Sequence, residues 1–187
     1  RRLVMALGMG RARQWRLCVL VTESLCGVRS WEEVVAAALE GGADCVQLRE
    51  KGLADGELLR RAERVVAMCR ETGAASVIND RPDVALLAGA DGVHVGQEDL
   101  PVAAVRRVAG MALLVGVSST NMEQALRAAR DGADVCGVGP MFATSTKHKP
   151  VIAGAAYLRQ YLAEAATARV PHLAIGGITP ENVGELA

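Results

Sequence analysis

The sequence predicts an α/β protein, a TIM (β/α)8 barrel that is C-terminally truncated, with about seven βα units present. Three observations carry that expectation. Short β-branched runs alternate with Ala/Leu/Glu/Arg-rich segments of helical period from Arg16 onward. A Gly–Ala–Asp echo precedes three of the strands, in "GGADCVQL", "AGADGVHV" and "DGADVCGV", as expected of a repeated βα unit. No dinucleotide-type glycine fingerprint follows the first strand, which favours the barrel over a doubly wound sheet.

The elements follow in order. Strands are expected near 17–22 (LCVLVT), 45–49 (CVQLR), 76–79 (SVIN), 92–95 (GVHV), 113–118 (LLVGVS), 135–139 (VCGVG) and 172–175 (HLAI). Helices are expected near 31–40, 56–71, 82–88, 101–108, 121–131, 155–165 and from 180 to the last residue. Ser30, with Glu33 three residues on, forms a capping-box pattern. Pro82, Pro101 and Pro180 stand where first helical turns would begin. The glycine of each echo is placed to end the preceding helix. Only five residues are Phe, Trp or Tyr although 51% are apolar, so the core must be built from Ala, Val, Leu and Ile.

Residues 15–187 read as one barrel domain lacking its last βα unit, which would leave strand edges open and the fragment unstable alone. Residues 1–14 read as a basic tail or a junction to a missing segment. Five arginines precede Glu23, but the stretch lacks serine and a cleavage site, which disfavours a targeting peptide. Basic and acidic residues balance at 21 each, which argues against nucleic-acid and membrane partners. No apolar run is long enough to span a bilayer. The five cysteines show no metal-type or redox-type spacing, so they are expected as buried free thiols in a reducing cytoplasm.

Function is read from where the polar residues fall, because barrel chemistry gathers at the C-terminal ends of strands. Gln47, Arg49 and Lys51 alternate at the end of strand two, and alternate strand residues share a face. Asn79, Asp80 and Arg81 end strand three, Asp99 follows strand four, and Ser118, Ser119 and Thr120 end strand five. The loops "GPMFATSTKHK" and "GGIT" follow strands six and seven. Asp80 and Asp99, at neighbouring strand ends, suit Mg2+, which takes one or two carboxylates and leaves positions for phosphate oxygens. Arg49, Lys51 and Lys147 at the same mouth imply a polyanion such as a diphosphate. A salt-bridge belt is the competing reading, but it would not need Gln47, Asn79 or the threonine-rich loop. Thr144, Ser145 and Thr146 with Gly176 and Gly177 suggest a second phosphate cradle, built from hydroxyls and backbone N–H groups.

Other candidates take structural readings. His94 is expected to face inward and hydrogen-bond rather than act as a general base. His148 lies in a loop and His172 at the wrong end of its strand. Trp15 and Trp31 are expected to pack, "GVGP" resembles a nucleotide loop only superficially, and no Ser/His/Asp or Cys/His nucleophile arrangement stands out.

The blocks "VQLREK", "INDRPDVALLAGADGVHVGQEDLP", "VGVSS", "VGPMFATSTK" and "AIGGITPENV", in this order, resemble thiamine-phosphate synthases from about Leu17 onward. The resemblance implies a TIM-barrel transferase in thiamine biosynthesis. It would join 4-amino-2-methyl-5-(diphosphooxymethyl)pyrimidine to a thiazole ethyl phosphate, carboxylated or plain, and release diphosphate. By position, Gln47, Arg49 and Lys51 would grip the pyrimidine diphosphate, and Asn79 would read the pyrimidine. Asp80 and Asp99 would bind Mg2+, and Ser118 and Lys147 would hold the diphosphate. Thr144, Ser145, Thr146, Gly176 and Gly177 would cradle the thiazole phosphate. Lys51, Lys147, Ser118 and Arg49 would be the catalytic set. The implied partners are these two small molecules, with homo-oligomerisation left open.

Two departures stand out. "HKPVIAG" is shorter than the family's usual Pro-rich stretch, so Gly154 would take over its glycine. Absence of the last strand, which completes the thiazole-phosphate site in the family, leaves the activity of the fragment open. Two alternatives are kept, a thiazole tautomerase-like paralogue and a non-catalytic phosphate-binding barrel. Intact "QLREK", the Asp80/Asp99 pair, and serine at 118 where the tautomerase would carry histidine favour the synthase.

Overall fold

The structure, a computed structural model, describes residues 12–144 and 151–186. Seven strands alternate with helices in the order β1 (Cys18–Val21), α1 (Trp31–Glu40), β2 (Cys45–Leu48), α2 (Asp55–Thr72), β3 (Ala75–Asn79), α3 (Pro82–Ala88), β4 (Gly92–Val95), α4 (Val102–Ala109), β5 (Leu114–Ser119), α5 (Met122–Arg130), β6 (Val135–Val138), α6 (Gly154–Ala163), α7 (Ala165–Ala168) and β7 (His172–Ala174). The strands form one sheet in sequence order, and every neighbouring pair is parallel.

Local chemistry sets the boundaries. The Ser30 hydroxyl accepts from the Glu33 N–H at 3.2 Å, and the Glu33 carboxylate accepts from the Ser30 N–H at 2.7 Å, so the capping box is complete. Pro82 opens α3. Pro101 stands one residue before α4, as its N-cap.

The Gly–Ala–Asp echo has a structural role that its spacing alone does not disclose. Gly42, Gly89 and Gly132 take φ values of 86°, 68° and 82°, a region that costs glycine little. Each aspartate two residues later ties down the start of a neighbouring strand. Asp44 accepts from the N–H groups of Arg16 and Leu17 at 2.7 and 3.0 Å. Asp91 accepts from the Ser76 N–H and hydroxyl at 2.8 and 3.0 Å. Asp134 accepts from the Val115 N–H at 2.7 Å and pairs with Arg106.

Alternation along the strands sorts the side chains into two populations. Val46, Leu48, Ile78, Val93, Val95, Val115, Cys136 and Val138 belong to a large cluster that also takes in the helices. The opposite face of the sheet forms a second cluster in which Cys45, Ala75, Val77 and Val135 meet Cys18, Leu114, Leu173 and Trp15. Residues from both outermost strands share that cluster, so the sheet is curled, TIM-like, with an interior of its own.

Three expectations are corrected. The helix expected from residue 180 is a 3-10 turn, Val183–Leu186. The helix expected over 155–165 ends at Ala163, where Glu164 leaves helical geometry and accepts from the Ala166 N–H to start the short α7. Strand two ends at Leu48, so only Gln47 of the Gln47–Arg49–Lys51 alternation lies on it. Both tryptophans are buried, as expected, and the Arg61 guanidinium stacks 5.5 Å above Trp31. All five cysteines are free, three of them buried and Cys18 and Cys26 half-buried. Burial pushes the Cys69 thiol up to about 12, so this thiol is a poor nucleophile.

Candidate active site

The interior face carries a polar layer one step beyond its apolar floor. Cys45 and Ala75 are register partners in the floor, and Gln47 and Val77 come next on the same face. Asn79 is then level with His94, His94 with Gly116, and Ser118 with Gly137. Gln47, Asn79, His94 and Ser118 therefore line one side of the sheet toward its C-terminal edge.

Three polar groups there are uncommitted. Gln47 is 6% exposed, and among the described residues its side-chain amide makes no hydrogen bond. Nor do the side chains of Asn79 and Arg49. Their polar atoms are left open to whatever stands in the interior, although Gln47 as a whole is buried. Arg49 is fixed through its backbone, its N–H donating to Val21 O at 2.8 Å and its carbonyl accepting from the Thr22 hydroxyl at 2.7 Å.

Asp80 follows directly. Its backbone sits at φ 62°, the one described non-glycine residue with positive φ, and its N–H donates to the His94 carbonyl at 2.8 Å. Its carboxylate lies 3.0 Å from the Lys51 ammonium. Burial pushes the Asp80 carboxyl above the usual range, Lys51 pulls it back, and the adjoining Asp99 carboxyl pushes it up again. Asp99 is oriented by the Gly96 N–H at 2.8 Å. Lys51, Asp80 and Asp99, from the loops after three different strands, thus form one charge cluster.

The loops after β6 and β7 press together at the same edge of the sheet. Met141 and Phe142 donate backbone N–H bonds, each 2.9 Å, to Ile175 and Gly176. Gly176 and Gly177 have φ values of 99° and 65°, and a Cβ at Gly176 would stand 2.6 Å from Pro140 Cβ. A Cβ at Gly177 would overlap the Ala143 carbonyl. No side chain fits at either position, because residues 140–143 after β6 pack directly against the two glycines. Thr144 is half-buried at the end of this loop.

A family model described as thiamine monophosphate synthase matches residues 17–187. The chain belongs to that family. The thiamine-phosphate synthase of Chlorobium luteolum is 44% identical over 173 residues, covering 91% of this chain and 77% of the relative. That of Chloroflexus aurantiacus is 44% identical over 176 residues, covering 92% and 78%. Among solved structures, thiamine phosphate pyrophosphorylase from Pyrococcus furiosus superposes with a TM-score of 0.82 at 33% identity, covering 94% of this chain and 81% of that one.

Against this family background, the structure gathers Gln47, Arg49, Lys51, Asn79, Asp80, Asp99 and Ser118 toward one edge of the sheet, with Gly176 and Gly177 in the neighbouring loop. Ser145, Thr146 and Lys147 lie outside the described residues, as does His148. His94 faces inward and hydrogen-bonds, its Nε2 lying 2.8 Å from Ser118 Oγ. Sequence spacing offered no Ser/His arrangement, because that contact joins residues 24 positions apart. Alternation separates the two serines of strand five. Ser119 is buried on the helix side and accepts from the Tyr157 hydroxyl at 2.7 Å.

Arg61 is the supporting residue that the sequence reading missed. It lies 2.9 Å from both Glu23 and Glu57 and 3.6 Å from Glu50. Glu50 in turn accepts from the Glu23 N–H at 2.7 Å. The loop carrying Arg49 and Lys51 is thereby anchored on α2 by groups that do not face the interior. A lone arginine in a charged helix gives no sequence signal of this.

Proposed function

We propose that this chain catalyses thiamine phosphate formation, joining 4-amino-2-methyl-5-(diphosphooxymethyl)pyrimidine to a thiazole ethyl phosphate, plain or carboxylated. Family membership supports the reading. The carrying observation is the gathering of Gln47 and Asn79, the cations Arg49 and Lys51 and the carboxyls Asp80 and Asp99 toward one edge of the sheet.

The bond from the pyrimidine methylene carbon to the diphosphate oxygen breaks, and its electron pair leaves with diphosphate. Arg49, Lys51 and the Ser118 hydroxyl face the charge that develops on the leaving oxygens, and the family resemblance adds Lys147 to them. Gln47 and Asn79 hold the heterocycle by its polar edge, and its amino group stabilises the cationic carbon. The thiazole nitrogen lone pair then forms the new C–N bond, so no protein nucleophile takes part. Thr144, Ser145, Thr146, Gly176 and Gly177 receive the thiazole phosphate.

Asp80 and Asp99 suit Mg2+, because two adjoining carboxyls, one raised by burial, repel each other until a cation comes between them. Bound there, Mg2+ would neutralise charge on the diphosphate oxygens. Lys51 fills part of that role in the protein as described.

We read the curled sheet as a TIM barrel whose closure calls for an eighth strand between β7 and β1, its two unpaired edges. Leu20 and Ile175 flank that gap, each 38% exposed. Small-molecule substrates and a cytoplasmic setting go with this reading. Among the described residues no helix is long and apolar enough to cross a membrane. The test is diphosphate release on mixing both substrates with Mg2+. Release that requires both heterocycles is expected; release from the pyrimidine diphosphate alone, or none, would refute the coupling.

A further inference from the structure

We propose that His94 is a positioning residue, donating from Nε2–H to Ser118 Oγ so that the serine hydrogen stays free for the departing diphosphate. The inference rests on the proposed function and deepens it by assigning a role to a group outside the anion-binding set.

The geometry places the ring closely. His94 is level with Gly116, and Ser118 with Gly137. A Cβ at Gly116 would stand 2.5 Å from His94 Nδ1, and one at Gly137 would stand 3.1 Å from Cε1. The imidazole therefore lies across two positions that lack side chains and reaches diagonally from its own strand to Ser118 on the next, 2.8 Å away. Any larger residue at Gly116 would move the ring off the serine.

Hydrogen-bond accounting then selects the direction of that contact. A serine hydroxyl carries one hydrogen. If it donated to an unprotonated Nε2, its lone pairs would face the phosphate oxygens, which are acceptors only, and the contact would repel. If Nε2–H donates to Oγ, the single hydrogen is left for the anion. Only the second arrangement lets Ser118 stabilise negative charge. A neighbour that fixes the orientation of a functional group commonly contributes 10- to 100-fold, as groups that hydrogen-bond to metal-ligating side chains do.

The test is a double-mutant cycle of His94→Leu with Ser118→Ala in the full chain, with His94→Gln as a conservative variant whose amide N–H reaches the place of Nε2–H. Expected are a loss of about tenfold in kcat/KM for the pyrimidine diphosphate in His94→Leu and recovery to within about threefold in His94→Gln. KM for the thiazole phosphate should be unchanged, and the double variant should be no slower than Ser118→Ala alone. If His94→Leu does not fold, His94→Ala, which adds no bulk, replaces it in the cycle. Losses that multiply in the double variant, or a glutamine variant as slow as leucine, would overturn the proposal. A slow Ser118→Ala with a normal His94→Leu would refute the relay and leave the diphosphate reading standing. A normal Ser118→Ala would refute both.

Discussion

The two ends of the strands use the same side chain in opposite ways. At the N-terminal end, the aspartates of the three echoes are saturated with donors, and the N–H groups of Arg16 and Leu17 hold the Asp44 carboxyl below its usual range. At the C-terminal end, Asp80 sits on strained backbone beside a second carboxyl, raised by burial. The side-chain amides of Gln47 and Asn79 nearby make no hydrogen bond among the described residues. A carboxylate surrounded by backbone donors is a fastener; one crowded against its own kind and paired to the Lys51 ammonium is part of a charge cluster. The sorting of structure and chemistry to opposite ends, typical of barrels, is thus visible in hydrogen-bond accounts alone.

Exchanging the fates of these aspartates gives the sharpest contrast. At the C-terminal end, Lys51→Ala and Asp80→Asn, the latter keeping a residue that tolerates the φ of 62°, should each lower kcat by about 10²- to 10³-fold, the range for losing a group that stabilises developing charge. Their thermal midpoints should stay near that of the parent. Steady-state kinetics with both substrates decide it, and near-normal turnover in either variant would end the assignment.

The reverse pattern is expected for Asp134→Ala. It strands the buried Val115 N–H and takes the carboxylate from Arg106, which keeps the Leu113 carbonyl at 2.7 Å, so unfolding in denaturant should show a loss of about 2 to 3 kcal/mol. Activity per folded molecule should persist. A variant as stable as the parent would remove the fastener reading.

The smallest effect is in pH dependence, and its sign differs between the two ends. Asp44 has a depressed folded value, so its contribution is present above the unfolded carboxylate value of about 3.9 and is lost as pH falls through the folded one. For its two hydrogen bonds this amounts to about 1 kcal/mol. Asp80 has a raised folded value, so the folded state holds the proton more tightly and stability declines as pH rises through that value. Stability–pH curves of Asp44→Ala and Asp80→Asn, each subtracted from the parent, should slope in opposite directions. Parallel curves would show that the two environments do not differ.

Much of this was legible beforehand because it is local. β-branched runs located all seven strands, and Ser30 with Glu33 marked the start of α1 to the residue. Position at a strand end also identified Asp80, Asp99 and Lys51 as rim residues. What stayed hidden depends on distant partners. Nothing near Arg61 in sequence announces Glu23, Glu50 and Trp31 around it. The echo showed its glycines as helix caps, which holds at Gly89 while Gly41 and Asp131 cap α1 and α5, but its aspartates spend their bonds on strands 15 to 28 residues away. His94 could be recognised as inward-facing, yet its choice of Ser118 depends on two glycines of neighbouring strands. The expected final helix gave way to a 3-10 turn, because Asn182 spends its side chain on Gly177 O and the Thr179 N–H.

Position 80 carries one further consequence. A φ of 62° admits glycine, asparagine and aspartate far more readily than branched or bulky residues. Inherited variation there passes two independent sieves, one for shape that three amino acids survive and one for charge that spares a single member of that trio. Conservation at such a site overstates chemical necessity, since most substitutions are removed by the backbone before reactivity is ever tried.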